Sequence, residues 1–236
     1  MAAFSPSQAI SYGWTNAKQN WKWWIPVTLL YLFINAFPSF FQPAEGQTDS
    51  GLFGIIKFIC SIIQVWLVTG ITINAWNMIG GQAPSYKTLF PSIGLVVRYL
   101  LSSFASAVIG VVVGFGIIGI SSAVFLTLPT SMRNPVVFII AGLIVLALIV
   151  LIFWLSIRFS YAPYVAIFER KWPIAAIKRS WSITKGNIGT LIWLGILCLG
   201  VVIIGALALL VGLLWAFPTV IVANLYLYKQ LSEAKS

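Results

Sequence analysis

Between residues 23 and 231 the chain is a succession of long apolar runs separated by short polar breaks. A helix that crosses a bilayer needs about 20 consecutive apolar residues. Runs at 52–79, 92–128, 136–168 and 187–231 exceed that length and the run at 24–41 lies at its low end; all predict membrane-spanning helices. The last run holds no charge before Lys229. As one helix it would be about 67 Å long, roughly twice the ~30 Å hydrocarbon core, so it predicts a hairpin of two spans. Its turn is expected between 207 and 213, with Pro218 bending the second arm. The run at 92–128 is also too long for one straight crossing, and Gly114, Gly116 and Gly119 predict a kink or an extended outer end. Breaks are marked by Pro38 and Pro43, by Gly80-Gly81-Gln82-Ala83-Pro84, by 129–135 and by Glu169-Arg170-Lys171.

Two basic segments interrupt this pattern and match each other. Pro6, Ala9, Ile10, Trp14, Lys18 and Asn20 recur as Pro173, Ala176, Ile177, Trp181, Lys185 and Asn187, at a constant offset of 167 residues. Each segment opens at a proline, a residue favoured in the first helical turn, and leads into an apolar run. In the first, Ile10, Trp14, Ala17 and Trp21 share one helical face, with Ser7, Ser11, Lys18 and Gln19 mainly opposite. In the second, Ile174, Ile177 and Trp181 oppose Lys178, Arg179, Ser182 and Lys185. Such helices are expected to lie in the head-group plane with tryptophan on the lipid side. Trp14, Trp21, Trp23, Trp24 and Trp181 are the expected interfacial anchors. Residues 86–90 are a candidate third, shorter copy.

Composition agrees with a lipid solvent: 60% of residues are hydrophobic and 8% charged, against about 25% charged in a soluble domain. The expected fold is all-α, a polytopic transmembrane bundle of about six spans with two or three interfacial amphipathic helices. One integral membrane domain, 1–236, is expected: an interfacial helix at 1–22, spans one to four within 24–168, a second interfacial helix at 173–186, and spans five and six within 187–231. The formal charge of +10 would suggest nucleic acid in a soluble chain. Here the basic residues cluster at the ends of apolar runs, which favours contact with anionic head groups over nucleic acid. With six spans, twelve of the 14 basic residues fall on the side of the termini, and only Lys57 and Arg133 on the other. The positive-inside rule therefore predicts cytoplasmic N- and C-termini. The first 20 residues do not resemble a cleaved signal and are expected to stay on the mature protein.

The side chains restrict the chemistry. There is no histidine, and the only acids are Glu45, Asp49, Glu169 and Glu233, none within a predicted span. General acid–base catalysis, a metal site and an intramembrane proton relay would each lack their usual groups, so no enzyme, metal or cofactor is expected. Cys60 and Cys198 read as small buried hydrophobes. Arg98 and Arg158 lie several residues inside their spans. Either they snorkel to the near interface, or with Lys178 and Arg179 they form a basic pocket for lipid phosphate. Gln64, Asn74, Asn77 and Asn224 are polar residues in spans, suited to inter-helix hydrogen bonds or to a substrate path. Ser102, Ser106, Gly110 and Gly114 recur every fourth residue, a ribbon of small side chains that predicts close helix packing.

The run Ala176-Ile177-Lys178-Arg179-Ser180-Trp181-Ser182-Ile183-Thr184-Lys185-Gly186-Asn187 and the ending Leu225-Tyr226-Leu227-Tyr228-Lys229-Gln230-Leu231 resemble the membrane domain attached to some bacterial glycerophosphoryl diester phosphodiesterases. They are also similar to related uncharacterised prokaryotic integral membrane proteins. The resemblance is sharp over 173–231 and diffuse elsewhere. It implies a six-helix membrane fold, a prokaryotic cell membrane and an association with lipid. It does not extend to phosphodiester hydrolysis, because the catalytic domain of those fusions needs histidines and metal-binding acids that this chain lacks. The expected function is a non-catalytic multi-pass membrane protein that binds lipids or scaffolds partner proteins. The alternative is a small transporter or permease subunit. Expected partners are anionic lipids on the cytoplasmic side and a protein partner or second copy of the chain.

Overall fold

A backbone immersed in lipid can satisfy its own hydrogen bonds only within a helix or a closed barrel. The computed structural model of the chain describes residues 5–43, 51–127, 135–208 and 211–235, leaving out the side chains at 112–118, 120–127, 135–138 and 140–141. These residues form helices and no strand. The α-helices are α1 (Pro6–Gln19), α2 (Trp21–Ala36), α3 (Leu52–Ile79), α4 (Ile93–Thr127), α5 (Pro135–Phe159), α6 (Ala162–Phe168), α7 (Pro173–Thr184), α8 (Ile188–Leu207) and α9 (Leu213–Glu233). Short 3-10 helices occupy Phe37–Phe41 and Tyr86–Leu89.

Local signals set most boundaries. The Ser5 hydroxyl accepts from the Gln8 backbone N–H and caps α1, with Pro6 in its first turn. Asn20 alone separates α1 from α2. α3 ends at Gly80 with Gly81 in the left-handed region (φ 79°), where an L side chain would be strained. Gly81 and Gln82 then return hydrogen bonds to the Met78 and Asn77 carbonyls, closing the helix end. The α8–α9 turn falls between Leu207 and Leu213, where length required it. α4 is one continuous helix, about 52 Å long at 1.5 Å per residue. The run at 136–168 still gives one candidate span, Gly142–Phe168, but its helix is interrupted between Phe159 and Ala162. Pro163 has no N–H to continue the α5 ladder and instead sits in the first turn of α6.

Among the described residues, five helical segments are long and apolar enough to cross a membrane: Trp21–Phe41, Leu52–Ile79, Ile93–Val111, Gly142–Phe168 and Ile188–Leu207. α9, the expected sixth, is not among them. Thr219, Asn224, Tyr226, Tyr228 and Lys229 lower its apolar character.

The chain divides into two compact units. The first comprises Met1–Val97 and Gly189–Ser236, the second Arg98–Ile188. α9 is the hub of the first unit and packs against α1, α2 and α3. It buries Ala216, Thr219, Val222, Ala223, Leu225, Leu227, Tyr228 and Leu231. A helix enclosed by other helices can carry polar groups that a lipid-facing helix cannot. In the second unit α7 packs against α5 and α6.

The two repeated helices bury equivalent residues. α1 buries Ala9, Gly13, Asn16 and Ala17, and α7 buries Ala176, Ser180, Ile183 and Thr184, each pair separated by the same 167 residues. The sequence repeat is therefore a structural one. Its buried face, however, is not the tryptophan face. Nor does α1 lie apart from the spans: it packs along α9, where Gly13 meets the backbone of Thr219 and Ala223. The 3-10 helix at Tyr86–Leu89 holds the corresponding place before α4 but is a single turn packed on α3.

Candidate functional site

Three of the four candidate basic residues gather at the connection between α6 and α7. Glu169 caps α6 and is the only acid between 98 and 188. Its carboxylate pairs with Lys171 Nζ at 2.7 Å and with Arg179 Nε at 3.3 Å. Burial, the largest single influence, favours the neutral acid, but the combined hydrogen bonds and charges of Lys171 and Arg179 outweigh it and hold the Glu169 pKa below its usual value. Arg170 adopts left-handed backbone (φ 52°), and its carbonyl accepts from Arg98 Nη1. The Arg98 guanidinium also lies over Trp172, 5.2 Å from the ring centroid. Arg98 and Arg179 are thus half-buried and engaged, whereas Arg170, Lys178 and Lys185 are exposed. The result is a basic segment with Trp172 exposed beside it.

Arg158 is held differently. Only 8% exposed, it sits in a corner formed by Trp154 and Trp181, whose rings meet edge to face at 88°. Its guanidinium carbon is 5.0 and 4.9 Å from the two ring centroids. Nη1 donates to the Trp181 carbonyl and to Thr184 Oγ1, both at 3.4 Å, and Ser180 Oγ donates back to the Arg158 carbonyl at 2.7 Å. Ring faces and the negative end of α7 therefore share its charge. This arrangement ties α5 to α7 and points the guanidinium into protein.

The tryptophans divide into two groups. Trp14 and Trp21 are exposed, at 42% and 47%, and Trp181 is half-buried. Trp23 and Trp24 are buried, at 4% and 1%, and pack edge to face on each other. Trp24 Nε1 donates to Asn16 Oδ1 at 3.3 Å, which locks α2 to α1. These two serve the core rather than the lipid interface, Trp24 against Asn16 of α1 and Trp23 against Trp24 and Tyr86. Trp14 lines an apolar groove of about 330 Å³ with Ile10, Gly205, Ala208, Gly212 and Trp215, beside the α8–α9 turn.

The small-residue ribbon is only partly engaged. Ser102 is buried, and the Ser106 hydroxyl returns to the Ser102 carbonyl within α4. Among the described residues nothing lies within 4 Å of a Cβ added at Gly110, and the Gly114 position lies outside the described side chains. Close approaches occur instead at Gly13, at Gly70 against the Leu89 backbone, and at Gly205 against Gly212 and Ala216. Of the polar residues in spans, Asn74 accepts from the Ser85 N–H at 2.8 Å and from Thr88 Oγ1 at 2.7 Å, which anchors the 3-10 helix. Asn224 donates to the Val220 carbonyl in its own helix and to Cys198 Sγ on α8 at 3.7 Å. Sequence reasoning passed over Asn16 and Glu169 as organising groups. The signal for Glu169 was its isolation as the one acid among many bases.

No protein-family model, curated protein or solved structure matches this chain.

Proposed function

We propose that this is a non-catalytic multi-pass membrane protein that binds anionic lipid through the segment joining α6 and α7. One observation carries the reading: Arg170 and Trp172 are exposed in this segment and Lys178 and Lys185 are exposed on the α7 that follows it and at its C-terminal end, while the single acid, Glu169, is committed to Lys171 and Arg179. An exposed basic surface with an adjacent indole suits the head-group layer, where each basic group contributes about 1 kcal/mol towards an anionic surface. Arg98 supports this surface through Arg170. Arg158, with its donors facing protein, takes a structural role. Both chain ends and this segment would lie on the cytoplasmic side of a prokaryotic cell membrane, in keeping with the charge asymmetry. A scaffolding role for partner proteins is compatible with the same surface.

The test is native mass spectrometry of protein extracted from mixed anionic and zwitterionic bilayers. Arg170→Gln/Lys178→Gln is expected to retain several-fold less anionic lipid than wild type, at an unchanged melting temperature. Equal retention would leave these residues with topology control alone.

A further inference from the structure

Lys57 breaks the charge asymmetry of the first unit. It lies near the start of α3, at the opposite end of the α2–α3 pair from Lys22 and from Lys87 in the loop after α3. A lone lysine at that end adds nothing to topology under the positive-inside rule, so its surroundings bear on its role. It lines a cleft of about 430 Å³ between α2, the following 3-10 helix and α3, a size within the ~300–1,000 Å³ of small-ligand sites.

The lining of the cleft is largely polar, and one of its polar residues lies well inside a long apolar helix. Gln64 sits twelve residues into α3, about 18 Å from its start. The amides of Asn35, Gln42 and Gln64 and the hydroxyl of Ser39 line the same space, and none of them makes a side-chain hydrogen bond to a described residue. Among the described residues the Lys57 ammonium has the Phe53 ring beside it, 5.9 Å from the centroid. Polar groups in an apolar medium are stable when partnered. Here one cation and several neutral donors line one cleft, and no carboxylate is among its described lining residues. That set matches a tetrahedral oxyanion, which offers more acceptor positions than a carboxylate and gains charge-assisted hydrogen bonds from an ammonium.

We propose that the cleft between α2 and α3 binds a phosphate group, held by Lys57 together with the amides of Asn35, Gln42 and Gln64. This site is independent of the basic segment in the second unit. The phosphate has two conceivable sources, a lipid head group from the adjoining leaflet and a soluble phosphate.

The experiment uses the Arg170→Gln/Lys178→Gln/Lys185→Gln chain as background, so that the three exposed bases of the second unit are removed. Lys57→Gln and Gln64→Glu are added separately; the second keeps size and shape but places a negative charge against the ligand. In one arm, native mass spectrometry counts phosphatidylglycerol retained from nanodiscs. In the other, inorganic phosphate is titrated against thermal unfolding of delipidated protein. Binding is expected in at least one arm and should weaken roughly tenfold or more in each variant that melts like its parent without ligand. A response to lipid alone assigns the head group as the source, and a response to inorganic phosphate alone assigns a soluble one. No response in either arm, or equal binding in both folded variants, overturns the proposal.

Discussion

At the scale of single residues, polar side chains in this protein mostly hold helices to one another. Asn16 joins α1 to α2 through Trp24, and Asn74 anchors the turn before α4. Arg158 joins α5 to α7 through two indole faces. Glu169 is the titratable member of this set. Its pKa is lowered in the fold, so its pairing with Lys171 and Arg179 stabilises the protein above the ordinary glutamate pKa and is lost as pH falls through the lower folded value. Glu169→Gln should therefore melt below wild type at neutral pH, and the gap should close as pH drops below about 4.5. Thermal melts of both proteins across that range check this; a gap independent of pH would mean the carboxylate charge contributes nothing.

At the scale of elements, α1 and α7 show which feature of a repeat governs packing. Both bury their small-residue face and leave much of the aromatic face open. Gly13 permits the α1–α9 approach, because a Cβ there would collide with the Thr219 carbonyl. Gly13→Leu is expected to destabilise the protein in detergent by about 1–3 kcal/mol through overpacking. Gly110→Leu, with open space beside it among the described residues, should stay within about 0.5 kcal/mol. Melting temperatures of the two variants decide between the α1–α9 contact and the ribbon on α4. If Gly110→Leu is the more damaging, the ribbon is the tighter interface.

At the scale of the whole molecule, the number of crossings turns on α9. Its apolar content falls short of the other five, yet it is enclosed by α1, α2 and α3 and is less dependent on lipid-compatible side chains. Five crossings separate Pro43 from Ala234 if α9 spans, and four if it does not. Pro43→Cys and Ala234→Cys, each placed in a variant lacking Cys60 and Cys198, should then label differently with an impermeant maleimide in intact cells. Equal labelling would remove α9 from the count of spans and place the two ends of the chain on opposite sides.

The sequence by itself determined the solvent and most helix limits. Apolar run length, Ser5-Pro6, Gly80-Gly81 and the doubled length of 187–231 are local or one-dimensional signals, and the structure follows each of them. The 167-residue repeat was equally legible, but the positions it buries were not. Only the tertiary structure decided which face of each helix packs, and on what. Trp23 and Trp24 looked like lipid anchors and are core residues; Arg158 looked like a lipid contact and is enclosed by Trp154 and Trp181. The reason is physical. In water the buried face of a helix is its apolar face, so periodicity reveals it. In lipid the outer face is apolar too, and close packing is selected by small size and by matched polar partners. Neither leaves a period in hydrophobicity, and partners such as Gly13 with Thr219 or Arg158 with Trp181 are far enough apart in the chain that only the fold brings them together.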